Sequence, residues 1–345
     1  MYEKIIRPIL FRMDAEEAHE WTIRNLSLAS GVPWICKVLH KWNCGNGKGA
    51  VRLFGLDFPN RLGLAAGMDK DGRCPGAFAA MGFGHVEAGT VTPVGQLGND
   101  KPRLFRYPKE EAVINRMGFN NHGAESMASR ISKTYPKGPG RTAVLGINIG
   151  KGKPTPIEEA ARDYVAGFRE LAAQADYFTV NISSPNTPGL RQLQQESYLR
   201  ELLGSLQQAN QERSTETGEA KIPILVKIAP DLEDREIELV VGLLEVLGYD
   251  GVIATNTTVA RPGYFGNVNE TGGLSGLPLQ SRSDDVIRLI HKVSGGGMPI
   301  IGVGGIMDVD SAQRKIDLGA SLVQIYTGLI YKGPGIVRKI AQAIG

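Results

Sequence analysis

The stretch Asn181–Arg191 carries the densest set of side chains that could do chemistry. Its sequence, N-I-S-S-P-N-T-P-G-L-R, continues an apolar run, Tyr177–Ile182, that predicts a buried strand. Prolines at 185 and 188 fix the backbone φ angle, so the loop after this strand has a defined shape. Its hydroxyls and amides donate and accept hydrogen bonds without carrying charge, which suits a planar polar ligand. From this loop alone, an ordinary strand-to-helix turn remains the alternative.

Seven further apolar runs alternate with helical stretches, and these elements must position the loop. Amphipathic stretches such as Thr155–Ala173, Ser197–Glu212 and Leu232–Leu247 separate the runs, which predicts a parallel sheet covered on both faces. Eight such units favour a closed (β/α)8 TIM barrel over an open doubly wound sheet. Val51–Pro59 predicts a hairpin that plugs the bottom of the barrel. The predicted strands are Arg61–Ala66, His85–Val91, Val144–Ile149, Tyr177–Ile182, Ile224–Ile228, Gly251–Thr255, Pro299–Val303 and Leu322–Tyr326.

The N-terminal residues show helical periodicity and no strand pattern, so we divide the chain into an extension, residues 1–48, and a barrel domain, residues 49–345. Asp14 is placed to cap a helix over Ala15–Ser30. The next short helix carries tryptophans and lysines, a pattern typical of a helix that lies at a membrane surface. A helical cap packed on the protein's own core fits the same pattern. No apolar run of 18 residues and no signal-peptide pattern occurs.

The composition is that of an ordinary globular protein with an ample core. Of the 345 residues, 42% are hydrophobic and 22% charged, and the net charge of +3 gives no reason to expect nucleic acid as a partner. The three cysteines form no disulfide framework, which favours a reducing compartment. The five histidines show no metal-ligand spacing, so we predict no metal. Thr215–Glu219 and Asn267–Glu270 show no chemistry and are predicted to be solvated loops.

Residues just after each strand should meet at one mouth, because active sites in this fold lie at the C-terminal ends of the strands. Asparagines and lysines among them are costly to bury without partners, so together they predict a binding site. Val303–Ile306, Tyr326–Gly328 and Thr271–Gly276 supply glycine loops that could cradle a phosphate, although tight βα turns would look the same. Lys227 ends strand five, where a lysine could stabilise negative charge on a reduced flavin.

Ten ordered motifs make the chain resemble, essentially end to end, the dihydroorotate dehydrogenases, and within them the membrane-associated, quinone-using class 2. The motifs are L-A-A-G-M-D-K-D-G (64–72), E-A-G-T-V-T-P (87–93), P-R-L-F-R (102–106), N-R-M-G-F-N-N (115–121), N-I-G-K (148–151), N-I-S-S-P-N-T-P-G-L (181–190), V-K-I-A-P-D (226–231), T-N-T-T (255–258), T-G-G-L-S-G (271–276) and G-V-G-G-I (302–306).

The resemblance implies oxidation of (S)-dihydroorotate to orotate, in de novo pyrimidine synthesis, on one tightly bound FMN per chain. Ser184 matches the catalytic base, which takes the proton from C5 of the substrate while C6 delivers hydride to flavin N5. Class 1 members have cysteine there. The matching FMN-binding positions are Ala66, Gly67, Met68, Asp69, Lys70, Thr90, Asn148, Asn181, Lys227, Thr255, Gly276, Gly305, Tyr326 and Thr327. The matching substrate positions are Lys70, Asn115, Arg116, Met117, Gly118, Phe119, Asn181, Asn186, Asn256 and Thr257.

The resemblance also assigns a role to the extension, which in class 2 enzymes forms an apolar tunnel for the membrane quinone. His19, Arg106 and Tyr326 match the polar residues at its inner end. We therefore expect a monomer held peripherally on the cytoplasmic side of a bacterial inner membrane. Removal of residues 1–43 should abolish quinone reduction and leave flavin reduction by substrate largely intact.

Three alternatives come from other classes. One is a class 1-like FMN barrel that uses fumarate or NAD as its electron acceptor. Another is a flavin-free barrel isomerase or synthase that binds a sugar phosphate. The third is a non-catalytic binding protein at the membrane surface.

Overall fold

The computed structural model describes residues 2–44, 49–187 and 189–344, and they contain a closed barrel of eight parallel strands. Strand order follows chain order, and the last strand pairs with the first through Val323 and Leu62. The TIM barrel and all eight predicted strands are confirmed, with ends that differ by at most two residues. The strands are Leu62–Leu64, His85–Val91, Val144–Ile149, Tyr177–Asn181, Ile224–Ile228, Gly251–Ala254, Ile300–Val303 and Leu322–Ile325.

Helices cover the outside of the barrel because each buries one apolar face on the strands. The stretch predicted as Ser197–Glu212 is a longer helix that runs from Glu196 to Thr217 and ends where Gly218 adopts a φ of +70°. The prediction that Thr215–Glu219 is a loop is therefore wrong for its first three residues. The helices are Pro75–Ala80, Ala124–Thr134, Ala160–Leu171, Glu196–Thr217, Asp234–Val246, Gln280–Val293, Val309–Asp317, Thr327–Lys332 and Gly335–Ala343, with 3-10 turns at Ile157–Glu159, Leu190–Gln194, Gly263–Asn267 and Leu277–Leu279.

A small antiparallel hairpin closes the bottom of the barrel, as predicted. Its strands, Val51–Leu53 and Leu56–Phe58, present apolar side chains to the barrel interior, and Phe58 is almost completely buried. The Phe58 ring meets the His85 ring edge to face, with centroids 5.5 Å apart. The hairpin covers the bottom of the barrel, and sites in this fold lie at the opposite, C-terminal ends of the strands.

Two small sheets stand above the mouth. Val94–Gln96 pairs with Asn121–Gly123, and Ala112–Asn115 pairs on its two sides with Leu104–Tyr107 and Gly273–Gly276. The Thr271–Gly276 segment, predicted as a loop, is therefore mostly a strand. The sheets are antiparallel insertions between barrel units, and the strand Leu104–Tyr107 packs against the extension helix Ala15–Ser30.

The described part of the N-terminal extension consists of helices joined by short turns: a π-helical turn Tyr2–Ile6 and α-helices Arg7–Leu10, Ala15–Ser30 and Pro33–Cys44. Asp14 caps the second α-helix as predicted, since its Oδ1 accepts the backbone N–H of Glu16 at 2.8 Å. Residues 45–48, at the predicted domain boundary, lie outside the described residues.

The extension exposes several large apolar side chains among its charged ones. Trp21, Trp34 and Trp42 are 54%, 69% and 64% exposed, and Leu28 and Val38 lie beside them in the same helices. In the described part of the chain, no helix combines the length and hydrophobicity that a membrane crossing requires.

Candidate active site

A polar pocket lies at the C-terminal ends of the barrel strands, where the fold predicts a site. Most residues predicted from the strand ends and motifs meet there. The predicted residues that line the pocket are Ala66, Gly67, Lys70, Thr90, Asn115, Met117, Gly118, Phe119, Asn181, Ser184, Asn186, Lys227, Thr255, Asn256, Thr257, Gly276, Gly305, Tyr326 and Thr327.

Asn181, the last residue of the fourth barrel strand, is the centre of a buried hydrogen-bond network. Its Nδ2 donates to Thr90 Oγ1 at 2.8 Å, and that hydroxyl donates to Asn148 Oδ1 at 2.5 Å. Its Oδ1 accepts from Ser183 Oγ at 3.2 Å and from Asn256 Nδ2 at 3.2 Å. Amides on three different strand ends therefore hold one another in fixed orientations, as a rigid planar recognition surface requires.

Ser184 lies in the loop beyond Asn181, and its side chain is buried against the pocket wall. Its hydroxyl accepts the Asn186 N–H at 3.3 Å, which leaves the hydroxyl proton free to turn toward the pocket. Asn186 Nδ2 donates to Asn115 Oδ1 at 3.1 Å, and Asn115 is the last residue of the strand Ala112–Asn115. Pro188, the second proline of the loop, lies outside the described residues.

Lys70 is the cation on the substrate side of the pocket. Its ammonium donates to Asn120 Oδ1 at 2.8 Å. Burial lowers the pKa of Lys70 to about 8, and the positive charge of Arg103 acts in the same direction, while Glu16 acts against it. A cation in a partly desolvated pocket binds a carboxylate more strongly than one at the surface.

Glycines form the opposite wall of the pocket. Gly304 and Gly305 have φ angles of +127° and +71°, and a Cβ on Gly305 would lie 2.4 Å from Gln280 Cβ. The backbone N–H groups of Gly304, Gly305 and Ile306 donate to no protein oxygen within the described part of the chain. Successive unpaired N–H groups are what an anion such as a phosphate binds. Thr327 adds a hydroxyl, 2.9 Å from Ser275 Oγ.

A buried carboxylate, Glu87, organises the floor of the pocket. It accepts from Asn148 Nδ2 at 2.8 Å and from Gln324 Nε2 at 2.9 Å, and Tyr177 donates to it at 3.3 Å. Burial lowers the pKa of Lys227, and the charge of Glu87 opposes that effect. Gln324 Oε1 is buried and has no partner within residues 2–44, 49–187 and 189–344.

Four of the residues predicted to bind FMN or the substrate do not line this pocket. Met68 contacts a neighbouring apolar cavity, and Asn148 lies one layer below, between Thr90 and Glu87. Asp69 is engaged by the backbone, since its carboxylate accepts from Arg73 N at 2.7 Å and Cys74 N at 2.8 Å.

Arg116 is the fourth, and its guanidinium turns away from the pocket to Glu270, 2.6 Å from Nη1. We predicted Asn267–Glu270 to be a loop without chemistry, and this ion pair corrects that prediction for Glu270. The pair ties the loop to the strand Ala112–Asn115, which carries pocket residues.

Sequence reasoning missed five pocket residues, of which four are apolar. Gln324 is the exception, and a signal for it existed, because a glutamine inside an apolar strand must face a polar interior. The missed lining residues are Ala65, Leu279, Met307, Gln324 and Ile325, whereas Ser275, Val303, Gly304, Ile306 and Gly328 lie in the glycine loops that the sequence predicted.

A second, apolar cavity lies between the extension and the barrel, and it brings His19, Arg106 and Tyr326 together. Arg106 donates to the carbonyl of Leu10 at 3.1 Å and stacks on the Phe11 ring, 4.6 Å from its centroid. Burial lowers the pKa of His19 to about 3, so this imidazole is neutral at physiological pH.

Tyr326 lines both cavities and separates the polar pocket from the apolar one. Gly67, with a φ of +102°, lets the Tyr326 ring approach, because a Cβ there would lie 3.3 Å from the ring. Burial raises the pKa of Tyr326 to about 12, so the side chain between the two cavities is uncharged.

The fold and the pocket define an α/β-barrel enzyme built to hold a planar polar ligand beside an anion-binding cradle. The family model for dihydroorotate dehydrogenase matches residues 49–345. The chain belongs to the dihydroorotate dehydrogenase family.

Full-length relatives agree with the family model. The chain is 51% identical to a dihydroorotate dehydrogenase (quinone) from Idiomarina loihiensis over 98% of each chain. It is 50% identical to the protein of that name from Chromobacterium violaceum, over 99% of this chain and 97% of the relative. The crystal structure of DHODH from Eimeria tenella in complex with ferulenol superposes with a TM-score of 0.86 at 38% identity, covering 96% of this chain and 90% of that one.

Proposed function

We propose that the protein oxidises (S)-dihydroorotate to orotate on bound FMN and passes the electrons to a quinone, as a step of de novo pyrimidine synthesis. The observation that carries the proposal is the placement of Tyr326 between a polar and an apolar cavity. A hydrophilic substrate and a lipophilic acceptor require separate sites beside one redox group. The family and its quinone-named relatives support the same activity.

FMN fits the residues present. Three unpaired N–H groups at Gly304–Ile306 suit its phosphate, and the unpartnered Gln324 Oε1 would accept a hydrogen bond from its ring. Lys227 supplies a positive charge at the pocket floor, where it would stabilise negative charge on a reduced ring. When bound, FMN supplies the two-electron acceptor for the substrate. The residues we propose to hold it are Ala66, Gly67, Lys70, Thr90, Asn181, Lys227, Thr255, Gly276, Gly305, Tyr326 and Thr327, with Asn148 and Asp69 acting through their neighbours and Met68 from the apolar side.

The substrate is held by charge and by amides. Lys70 would bind its carboxylate, and Asn115, Asn181, Asn186 and Asn256 would pair with the polar edge of its ring. Met117, Gly118, Phe119 and Thr257 also line this side of the pocket, and their backbone groups would contact the substrate. Arg116 would act indirectly, by holding its loop in place through the ion pair with Glu270.

Ser184 would remove the proton from C5 of the substrate. A serine hydroxyl is a poor base at neutral pH, so it must pass its own proton on through a water relay while the amides and Lys70 stabilise the charge that develops on the ring. The Asn186 N–H to Ser184 oxygen contact of 3.3 Å orients the hydroxyl for this transfer.

The apolar cavity would admit the quinone. Arg106 and the neutral His19 provide donors for quinone oxygens at the inner end, and Tyr326 lies next to the polar pocket. The exposed tryptophans on the extension would sit at the lipid headgroups and hold a monomer on the cytoplasmic side of the inner membrane.

The proposal is tested by supplying purified protein with dihydroorotate and one acceptor at a time, and measuring orotate by chromatography. We expect a soluble quinone analogue to support turnover and fumarate or NAD to fail. Turnover with fumarate or NAD alone would support the proposed oxidation of dihydroorotate but contradict quinone as the electron acceptor. If a preparation that carries FMN forms no orotate with any acceptor, the proposal that dihydroorotate is the substrate is wrong.

Membrane association is tested separately by sedimentation with vesicles that contain anionic lipid. We expect the full chain to sediment, and a Trp34→Ser/Trp42→Ser variant to stay largely in the supernatant with its turnover of a soluble quinone intact. Equal sedimentation of both proteins would place the lipid contact elsewhere.

A further inference from the structure

A buried ion pair joins the extension to the barrel domain. Glu16, in the first turn of the helix Ala15–Ser30, is 5% exposed. Arg103, the residue just before the strand Leu104–Tyr107, is 6% exposed. Arg103 Nη2 and Nε donate to the Glu16 carboxylate at 2.7 and 3.0 Å. Burial raises the pKa of Glu16, but the hydrogen bonds and charge of Arg103 oppose burial, together with the charge of Lys101, whose Nζ lies 3.4 Å from Glu16 Oε1. The net shift of the pKa is downward, so the carboxylate is ionised.

The second arm of the Arg103 guanidinium holds a turn of the barrel domain. Its Nη1 donates to the carbonyls of Leu97 and Asn99, at 2.7 and 2.6 Å. The approach depends on Gly98, since a Cβ there would lie 2.9 Å from Arg103 Nη1 and 2.3 Å from the Met117 carbonyl. Glu16 thus fixes the arginine, and the arginine fixes the turn at residues 97–99.

Asn99, at the end of that turn, contacts both loops on the substrate side of the pocket. Its backbone N–H donates to Met117 O at 3.0 Å, and its Nδ2 donates to Arg116 O at 3.0 Å and to Asn186 O at 3.1 Å. Asn186 is the residue whose N–H reaches Ser184 Oγ.

We propose that the Glu16–Arg103 pair is a positioning device for the substrate half of the reaction, through which the N-terminal extension sets the spacing between the Asn115–Phe119 loop and the Ser184–Asn186 loop. The inference rests on the proposed function of the pocket. It departs from the expectation that the extension serves only the quinone, because the extension supplies the anion that orients Arg103.

In Glu16→Gln the amide oxygen still accepts one hydrogen bond, but the buried Arg103 loses its counter-charge and its second acceptor. The guanidinium therefore shifts and loosens its hold on the carbonyls of Leu97 and Asn99. The two pocket loops then lose their common tie. A small displacement of a substrate-holding group costs affinity and rate steeply, and we expect a rise of about tenfold in the dissociation constant of orotate.

The experiment compares Glu16→Gln with Glu17→Gln in the full-length, FMN-loaded protein. Glu17 is the neighbouring residue on the same helix turn, is exposed, and makes no ion pair in the described part of the chain, so it controls for the lost charge. The first readout is orotate binding, followed by perturbation of the flavin absorption band. The second is the KM for dihydroorotate against the KM for a soluble quinone.

We expect Glu16→Gln to raise the orotate dissociation constant and the dihydroorotate KM about tenfold with the quinone KM within about twofold of wild type. Glu17→Gln should match wild type. Asn99→Ala, which cuts the connection at its other end, should reproduce the orotate effect, and the double variant Glu16→Gln/Asn99→Ala should lose no more than either alone.

Orotate binding by Glu16→Gln equal to that of Glu17→Gln would overturn the inference. If Glu16→Gln fails to fold, Asn99→Ala carries the test, and wild-type orotate affinity in that variant would likewise overturn it. An additive double variant would show that the two residues act separately and would also contradict it. Failure of the proposed function is a different result, because wild type itself would then bind no orotate.

Discussion

Lys70 should set an upper pH limit on substrate binding. Its pKa is lowered to about 8 by burial and by the charge of Arg103, and the substrate we propose carries a carboxylate. The charged form of Lys70 dominates below this pKa and is lost above it. The charged fraction falls from about nine tenths at pH 7 to about one tenth at pH 9, so the association constant for orotate should fall about tenfold over that range.

The assay is a titration of the FMN-loaded protein with orotate at half-unit pH steps, read from the flavin band. Lys70→Arg is the control, because an arginine stays charged throughout, and titration of orotate itself cancels in the comparison. We expect the wild-type affinity to fall above about pH 8 relative to Lys70→Arg. A wild-type profile parallel to that of Lys70→Arg would refute the reasoning, since the lysine would then keep its charge or play no part in binding.

The remaining predictions concern catalysis, cofactor binding and stability. Ser184→Ala should keep FMN but slow its reduction by dihydroorotate about 10²- to 10⁴-fold in anaerobic stopped flow, with partial recovery in Ser184→Cys; normal reduction would remove Ser184 from the mechanism. Gly305→Ala should lose FMN on gel filtration because its Cβ would lie 2.4 Å from Gln280 Cβ, whereas Gly242→Ala, with nothing within 4 Å, should retain it; equal retention would contradict the cradle. Burial lowers the pKa of His85 in the folded protein to about 3. As the pH falls, the imidazole therefore takes up a proton in the unfolded chain before it does so in the folded protein, which favours unfolding. Between pH 7 and 5 wild type should therefore lose about 2 kcal/mol of unfolding free energy that His85→Leu does not lose, measured by urea denaturation; parallel losses would contradict the assignment.

The barrel and most of the pocket follow from local patterns. A parallel strand is a continuous apolar run, and its end is marked by the first polar or glycine residue, so the sequence alone places Asn181, Lys227 and Thr255 at strand ends. The fold then brings these strand ends to one mouth without further information.

Side-chain direction and long-range pairing could not be predicted in this way. Asp69 sits in a site motif but uses its carboxylate to accept from two backbone N–H groups, and Arg116 sits in another but pairs with Glu270, 154 positions away. The Glu16–Arg103 pair joins residues 87 apart, and no local pattern distinguishes Glu16 from the exposed Glu17. Such contacts depend on how insertions and extension pack together, which periodicity does not encode.

The central claim is that one redox site serves a polar donor and an apolar acceptor in sequence. The most direct measurement is an anaerobic spectrum of the purified protein, recorded alone, after dihydroorotate, and after a quinone. We predict a flavin band that dihydroorotate bleaches and quinone restores. A band that dihydroorotate leaves unchanged, or one that returns with fumarate or NAD but not with quinone, would contradict the account.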